Sequence, residues 1–301
     1  MQPERTTPPI NERVRHENDA DRKDAIEGVY RRFIFPAEGT DAARYSEDMS
    51  EHRHETRVRQ IAILYAMEAE GTPLAERLNL NDAAELHHGL PARVREGQVG
   101  EVNVFLVFNG RDPDHGVDRI GLEHAAVTTW ALLEKIKPQL LVNAGTCGGF
   151  LSRGATIGTT YLAGDDYLIH DHRIPLPGFE ALGVSRIPAR RYRAIEERLG
   201  LSTGPVSSGS SLDATEAERR FFEKEGVVAK DMEAAAIARV AADLRIPLMT
   251  MKAVTDLVDH PEPAEDAFLR NLQSTTMKLT DHMEQLVRWI GEGVTEEDLK
   301  N

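Results

Sequence analysis

An α/β fold with a mostly parallel or mixed sheet is what this sequence predicts, on two observations. From Gln60 onward, short apolar runs alternate with stretches of helical character, the pattern of strands and crossover helices. Two late segments also place carboxylates where folding alone does not favour them. Glu233 precedes the Ala-rich stretch Ala234-Ala235-Ala236-Ile237-Ala238, and Asp256 ends the apolar run Met251-Lys252-Ala253-Val254-Thr255. The mouth of a strand in an α/β sheet is where ligands bind.

In chain order, residues 1–57 stand apart: they are dense in Arg, Glu, Asp and His, and predict a charged extension that is disordered or helical. Gln60 to Tyr65 predicts the first strand, followed by helix over Pro73 to Leu78 and a strand over Val102 to Phe108. Gly121 to Ile136 has the apolar spacing of an amphipathic helix that stops before Pro138. Gln139 to Val142 is a short apolar strand running into Asn143-Ala144-Gly145-Thr146-Cys147-Gly148-Gly149. Strands follow over Thr159 to Leu162 and Tyr167 to Ile169, and helices over Arg191 to Leu199, Glu216 to Glu225 and Glu233 to Leu244. A strand over Leu248 to Ala253 and a long helix from Ala264 to Ile290 complete a domain over 58–292, with a short tail over 293–301.

Composition narrows the function. At 301 residues the chain can bury a sizeable core, and a 41% hydrophobic content fits a globular enzyme. A formal net charge of -14 argues against nucleic acid and against an anionic membrane surface, because both are held by clustered Lys and Arg. Cys147 is the single cysteine, so no intrachain disulfide forms and a reducing cytoplasm is expected. No apolar stretch is long enough for a membrane span, and no signal peptide is expected.

The motifs divide into weak and strong. Gly145-Thr146-Cys147-Gly148-Gly149 directly follows a strand, but lacks the dinucleotide-binding spacing and the Walker lysine, so a tight turn explains it as well as a ligand does. Cys147 has no evident base and is expected to be a packed small residue. Glu68 and Glu70 follow the first strand; the helix dipole accounts for Glu68, and less well for Glu70 once Glu233 and Asp256 share that sheet edge. His170-Asp171-His172, His87-His88 and the pair His52 and His54 lack companion ligands, so no metal is expected. No Gly-x-Ser-x-Gly elbow supports a serine hydrolase.

Taken together, Ile61 to Glu70, Asn143 to Gly149, Lys230 to Ala236 and Lys252 to Asp256 resemble the purine nucleoside phosphorylase/nucleosidase superfamily. They are most similar to its 5′-methylthioadenosine/S-adenosylhomocysteine nucleosidases, in particular those of the plant type. Asn109-Gly110-Arg111-Asp112, Arg173-Ile174-Pro175-Leu176-Pro177 and Gly209-Ser210-Ser211-Leu212-Asp213 extend the likeness, though the family commonly shows Gly-Asp where this chain has Gly209-Ser210. The resemblance implies a three-layer α/β/α fold with a central mixed sheet flanked by helices, no cofactor, a homodimer, and a place in methionine salvage. It implies Asp256 as the acid protonating purine N7, oriented by Thr255, and Glu70 as the base for the water that attacks C1′. Glu233 then takes the ribose hydroxyls and Met232 packs on the sugar. Thr146 lies near water or sugar, Leu212 and Asp213 contact the adenine edge, and Met67 and Phe268 line the pocket. The segment from His260 to Leu272 is expected to close over the alkylthio group.

The implied substrate is a small nucleoside: 5′-methylthioadenosine ahead of S-adenosylhomocysteine, with 5′-deoxyadenosine admitted. Ala66-Met67-Glu68-Ala69-Glu70 stands where phosphorylases usually carry a phosphate loop, and a carboxylate there repels an anion, so hydrolysis is expected. The alternatives are a phosphate-dependent phosphorylase and a non-catalytic nucleoside-binding protein of the same fold; presence of all three acids argues against the latter.

Overall fold

The computed structural model describes residues 57–301. The expectations for the charged N-terminal segment, and for His52 and His54, lie outside the described residues. The ten strands are β1 (Gln60–Tyr65), β2 (Asn81–Asp82), β3 (Arg93–Val99), β4 (Val102–Phe108), β5 (Leu140–Gly149), β6 (Thr160–Ile169), β7 (Ile187–Pro188), β8 (Ser202–Ser208), β9 (Ala229–Asp231) and β10 (Leu248–Leu257). The helices are α1 (Glu68–Arg77), α2 (Leu122–Ile136), α3 (Glu180–Val184), α4 (Arg193–Leu199), α5 (Glu216–Glu225), α6 (Ala234–Asp243), α7 (Ala264–Gly291) and α8 (Glu296–Lys300).

All ten strands join one mixed sheet, in the order β10-β6-β8-β9-β5-β1-β4-β3-β2 with β7 on β6. A further pairing of β10 with β5 closes the first five of these strands on themselves. Alternation along β1 shows the layering. Ile61, Ile63 and Tyr65 enter a core with Leu74 of α1 and Leu279, Met283, Leu286 and Ile290 of α7. Ala62 and Leu64 enter the opposite core, with Ala125 and Leu132 of α2 and Ala234, Ile237 and Ala241 of α6. A strand buried on both faces reads as a near-continuous apolar run, which is why β1 is evident in sequence.

Two departures from the sequence expectations shape the site. The glycine segment is strand, not turn: β5 runs unbroken to Gly149, and β10 pairs with it in parallel from Leu141 to Gly149. On the other edge of β5, β1 pairs only as far as Asn143 and β9 begins only at Gly148. Ala144 to Cys147 therefore keep one backbone edge free of any strand, the kind of crevice where α/β sheets take ligands. The register of β10 against β5 also shifts between Val254 and Asp256, so β10 continues four residues beyond Ala253 with an irregularity at Thr255. Such bulges re-aim side chains at the rim of a sheet.

Other differences are local. The two strands expected around Thr159 and Tyr167 are one strand, β6, whose pairing with β8 is irregular between Ala163 and Tyr167. β3 and β8 escape the periodic reading because Arg93-Val94-Arg95-Glu96-Gly97-Gln98-Val99 is charged and partly solvated, while Ser202-Thr203-Gly204-Pro205-Val206-Ser207-Ser208 is small and polar. The tail is folded as well: Leu299 of α8 is buried in the α7-side core, and Val58 N–H donates to Val294 O at 2.9 Å. Among the described residues no helix is long and apolar enough to cross a membrane.

Gly71 explains the tight seat of α1. A Cβ there would lie 2.6 Å from Tyr65 Cδ2 and 2.7 Å from Phe108 Cε1, both rings being buried. Gly71→Ala is expected to cost about 1–3 kcal/mol through overpacking, read as a lowered urea midpoint at unchanged m-value.

Candidate active site

Helix α1 begins at the end of β1 and presents Glu70 in its first turn, 3% exposed. Its Oε1 accepts hydrogen bonds from Thr146 N–H and from Thr146 Oγ1, both at 2.7 Å, and its Oε2 accepts from Met67 N–H at 3.3 Å. The strand-free edge of β5 is thus filled by a carboxylate. Neighbouring Glu68 faces elsewhere, bonded to Arg93 at 2.8 Å.

Glu233 stands at the start of α6, buried, with Oε1 accepting from Gly121 N–H at 3.0 Å. Burial pushes its carboxyl well above the ordinary range, to about 7, despite the opposing charge of Lys252, whose Nζ lies 3.9 Å from Oε2. The ammonium of Lys252 is itself 2% exposed and forms a tighter ion pair with Asp231 Oδ2, at 2.7 Å. Asp231 Oδ2 also accepts from Ala234 N–H at 3.0 Å, while Ser208 Oγ accepts from Ala235 N–H at 2.8 Å, so together they satisfy the start of α6. Attraction by Asp231 and Glu233 raises the Lys252 ammonium above its usual value against the cost of burial. Asp231, Lys252 and Lys230 are site residues that the motifs alone leave without a role. Their signal is a charged residue inside an apolar strand run, at Val228-Ala229-Lys230-Asp231 and at Met249-Thr250-Met251-Lys252-Ala253.

Asp256 comes from β10, just past the register shift, and is 4% exposed. Thr255 Oγ1 lies 3.0 Å from Asp256 Oδ1 and 3.2 Å from the carbonyl of Cys147, while Asn271 Nδ2 donates to Thr255 O at 2.9 Å. Burial raises the Asp256 carboxyl; the Thr255 hydroxyl and the Lys230 charge oppose it. Gly148 makes the room, because a Cβ there would lie 2.9 Å from Asp256 Oδ2. Cys147 is buried, and desolvation holds its thiol far up, so it is packing and not a thiolate.

These groups share one cavity of about 140 Å³ that Met67, Glu70, Thr146, Leu212, Met232, Glu233, Thr255, Asp256 and Phe268 line, together with Ile120, Lys230 and Asp231. Asp213 lies off it, in an adjoining space of about 500 Å³ that also meets Leu212 and Asp256. Phe268 sits in the first turns of α7, so the segment expected to close over the pocket is helical from Ala264. Among the described residues, no group of three or more His, Cys, Asp and Glu is placed to hold a metal ion.

A family profile for the phosphorylase superfamily matches residues 60–288. The chain belongs to that superfamily. Within it, the nucleosidase family suggested by the motifs is shown by two relatives from Arabidopsis thaliana. A 5′-methylthioadenosine nucleosidase is 36% identical over 77% of this chain and 88% of its own length. A 5′-methylthioadenosine/S-adenosylhomocysteine nucleosidase is 33% identical over 76% and 91%. The apo crystal structure of the Arabidopsis methylthioadenosine nucleosidase superposes with a TM-score of 0.76, covering 78% of this chain and 96% of that one at 36% identity. The superfamily fold therefore carries a site built, in this chain, from four buried carboxylates and two buried lysines.

Glu233 makes stability depend on pH in a stated direction. Its folded pKa lies above its ordinary 4.5, at about 7, so the native state binds the proton more tightly than the unfolded chain. This contribution is full below pH 4.5 and is lost as pH rises through about 7. In denaturant melts, Glu233→Gln is expected to lose part of the decline in stability across that window, and an unchanged decline would assign it to other groups.

Proposed function

We propose that the protein hydrolyses the N-glycosidic bond of 5′-methylthioadenosine, releasing adenine and 5-methylthioribose. One observation carries the choice of water over phosphate: Glu70 occupies both donors of Thr146 at 2.7 Å. An incoming phosphate would find those donors taken by a carboxylate and meet three further carboxyl groups in the cavity. A water molecule fits the same place, since Oε2 of Glu70 retains lone-pair capacity beyond its 3.3 Å contact with Met67 N–H. Glu70 orients this water and takes its proton as it attacks C1′.

Asp256 is the proposed acid. Its carboxyl is buried, and the Thr255 hydroxyl, 3.0 Å from Oδ1 and 3.2 Å from the Cys147 carbonyl, orients it. Burial, against the Thr255 hydroxyl and the Lys230 charge, favours the neutral acid that can protonate the leaving base. Glu233 accepts hydrogen bonds from ribose hydroxyls, and cationic charge developing on the sugar is met by Glu70 and Glu233. The apolar side chains of Met67, Ile120, Met232 and Phe268 suit a thioether better than the zwitterion of S-adenosylhomocysteine.

In phosphate-free buffer the protein is expected to release adenine from 5′-methylthioadenosine, at a rate unchanged by added phosphate. Release that requires phosphate and yields a sugar 1-phosphate would overturn the hydrolytic reading. Asp256→Asn is expected to lower kcat by about 10²–10⁴-fold with a near-native melting temperature. Near-full activity in this variant would remove Asp256 from the acid's place.

The reading includes a homodimer in a reducing cytoplasm, acting on a small molecule and not on nucleic acid or membrane. Supporting the dimer, Val127 and Trp130 expose an apolar stripe on α2 at 51% and 53%; Val117 and Ile120, which precede the helix, are also exposed, and Ile120 lines the cavity. Light scattering should give twice the chain mass, and Trp130→Glu should shift it toward one; a monomeric wild type would refute the pairing.

A further inference from the structure

Among the described residues lining the cavity that holds the four acids, Lys230 is the cation that the proposed reaction leaves without a task. It lies on β9, 4% exposed, and its Nζ donates to the carbonyls of Ser211 at 2.6 Å and Leu212 at 2.9 Å. Those carbonyls belong to the loop whose Leu212 borders both cavities beside Asp256. An ammonium has three protons, and two of them hold this loop.

The charges around it are divided by partner. Asp256 from β10, Asp231 from its own strand, Glu218 from α5 and Asp213 from the loop all act on the Lys230 ammonium, and His170 at the end of β6 feels its charge. Asp231 is committed to Lys252 at 2.7 Å. Glu218 closes the cap of α5, accepting from Thr215 N–H at 2.8 Å. Asp213 is exposed to solvent. Asp256 is the buried carboxyl left over; it lines the same cavity as Lys230, whose charge acts on it. Lys252 is held at the sugar end of the cavity by Asp231 and Glu233.

We infer that Lys230 is a positioning residue with two linked tasks: it fixes the base-edge loop through the Ser211 and Leu212 carbonyls, and its charge stabilises the Asp256 carboxylate formed when the acid gives up its proton. The step balances without any other reagent. The proton passes from the Asp256 carboxyl to a base nitrogen, the glycosidic electron pair leaves with the base, and the new negative charge on Asp256 shares its cavity with the Lys230 ammonium. A buried carboxylate with no such cation is a costly product of proton transfer. The inference rests on Asp256 being the acid and, for its effect on KM, on the Ser211–Leu212 loop bordering the bound base.

The test separates charge from hydrogen bonding, using 5′-methylthioadenosine and pH profiles of kcat and KM. Lys230→Gln keeps a donor for the carbonyls and removes the charge; Lys230→Arg keeps the charge; Lys230→Met removes both. Losing the charge raises the Asp256 pKa, so the basic limb of kcat should move to higher pH by about one unit in Lys230→Gln and Lys230→Met, with kcat about tenfold lower. In Lys230→Arg the limb should stay within a few tenths of a unit of wild type. Lys230→Met should in addition raise KM, as the loop loses its anchor. If Lys230→Met does not fold, the Gln and Arg variants carry the comparison. A wild-type limb in Lys230→Gln, or an equal shift in Lys230→Arg, would overturn the charge role. Asp256→Asn distinguishes the two levels: full activity there defeats the acid itself, whereas an inactive Asp256→Asn with an unshifted Lys230→Gln defeats only Lys230.

Discussion

Glu70, Asp231 and Glu233 approach one another at the end of a buried sheet, and what makes this arrangement tolerable is the ammonium of Lys252 among them. Its Nζ is 2.7 Å from Asp231 and 3.9 Å from Glu233, and the charge of Glu70 reaches it as well. Buried carboxylates repel one another and lose hydration, and Glu233 is pushed up to about 7 even with this cation beside it; without it, proton binding would go further. The pair Lys252–Asp231 is therefore more than a local contact. Asp231 serves the first N–H groups of α6, and α6 carries Glu233. The ion pair, the helix start and the Glu233 carboxyl are parts of one construction, and removal of Lys252 would strand all of them.

The backbone prepares the place for these charges. Because β1 leaves β5 at Asn143 and β9 joins it only at Gly148, the N–H of Thr146 has no strand to bond and turns to Glu70. On the other edge, the register shift of β10 brings Asp256 toward the same opening, and Gly148 leaves it room. A regular ladder would have satisfied those backbone groups internally and offered no crevice. The closure of five strands on themselves is what makes β1 and β9 share an edge of β5, so the topology and the site have a common origin.

How much of this was legible in sequence follows from the same physics. β1, β4 and the long helix α7 were legible because burial of whole faces writes periodic apolar patterns. The strand character of Gly145 to Gly149 was not, because a run of small residues has no periodicity and the glycines answer to Asp256 and to close packing. β3 and β8 were hidden by charge and small polar side chains. Glu70, Glu233 and Asp256 stood out as acids at strand ends. Lys252 and Asp231 were present in the quoted motifs, yet their pairing joins β10 to β9 across the closed part of the sheet, a contact no local spacing encodes.

The charge balance of the cavity also bears on the kind of reaction it can favour. In the proposed reaction the sugar becomes cationic and the departing base takes up a proton. At the sugar end, Glu70, Asp231 and Glu233 face the single ammonium of Lys252, so the local field is negative where positive charge develops. At the proposed base end, Asp256 shares the cavity with Lys230, whose charge favours a carboxylate once the proton has left. On the proposed roles, the two lysines divide the site into a half that stabilises a sugar cation and a half that stabilises the spent acid. An anionic nucleophile would have to enter the first half, against its field and against donors already bonded to Glu70, whereas neutral water enters without that penalty. The preference for hydrolysis is thereby a property of how the whole set of buried charges is arranged, and Glu70 is only its most visible member.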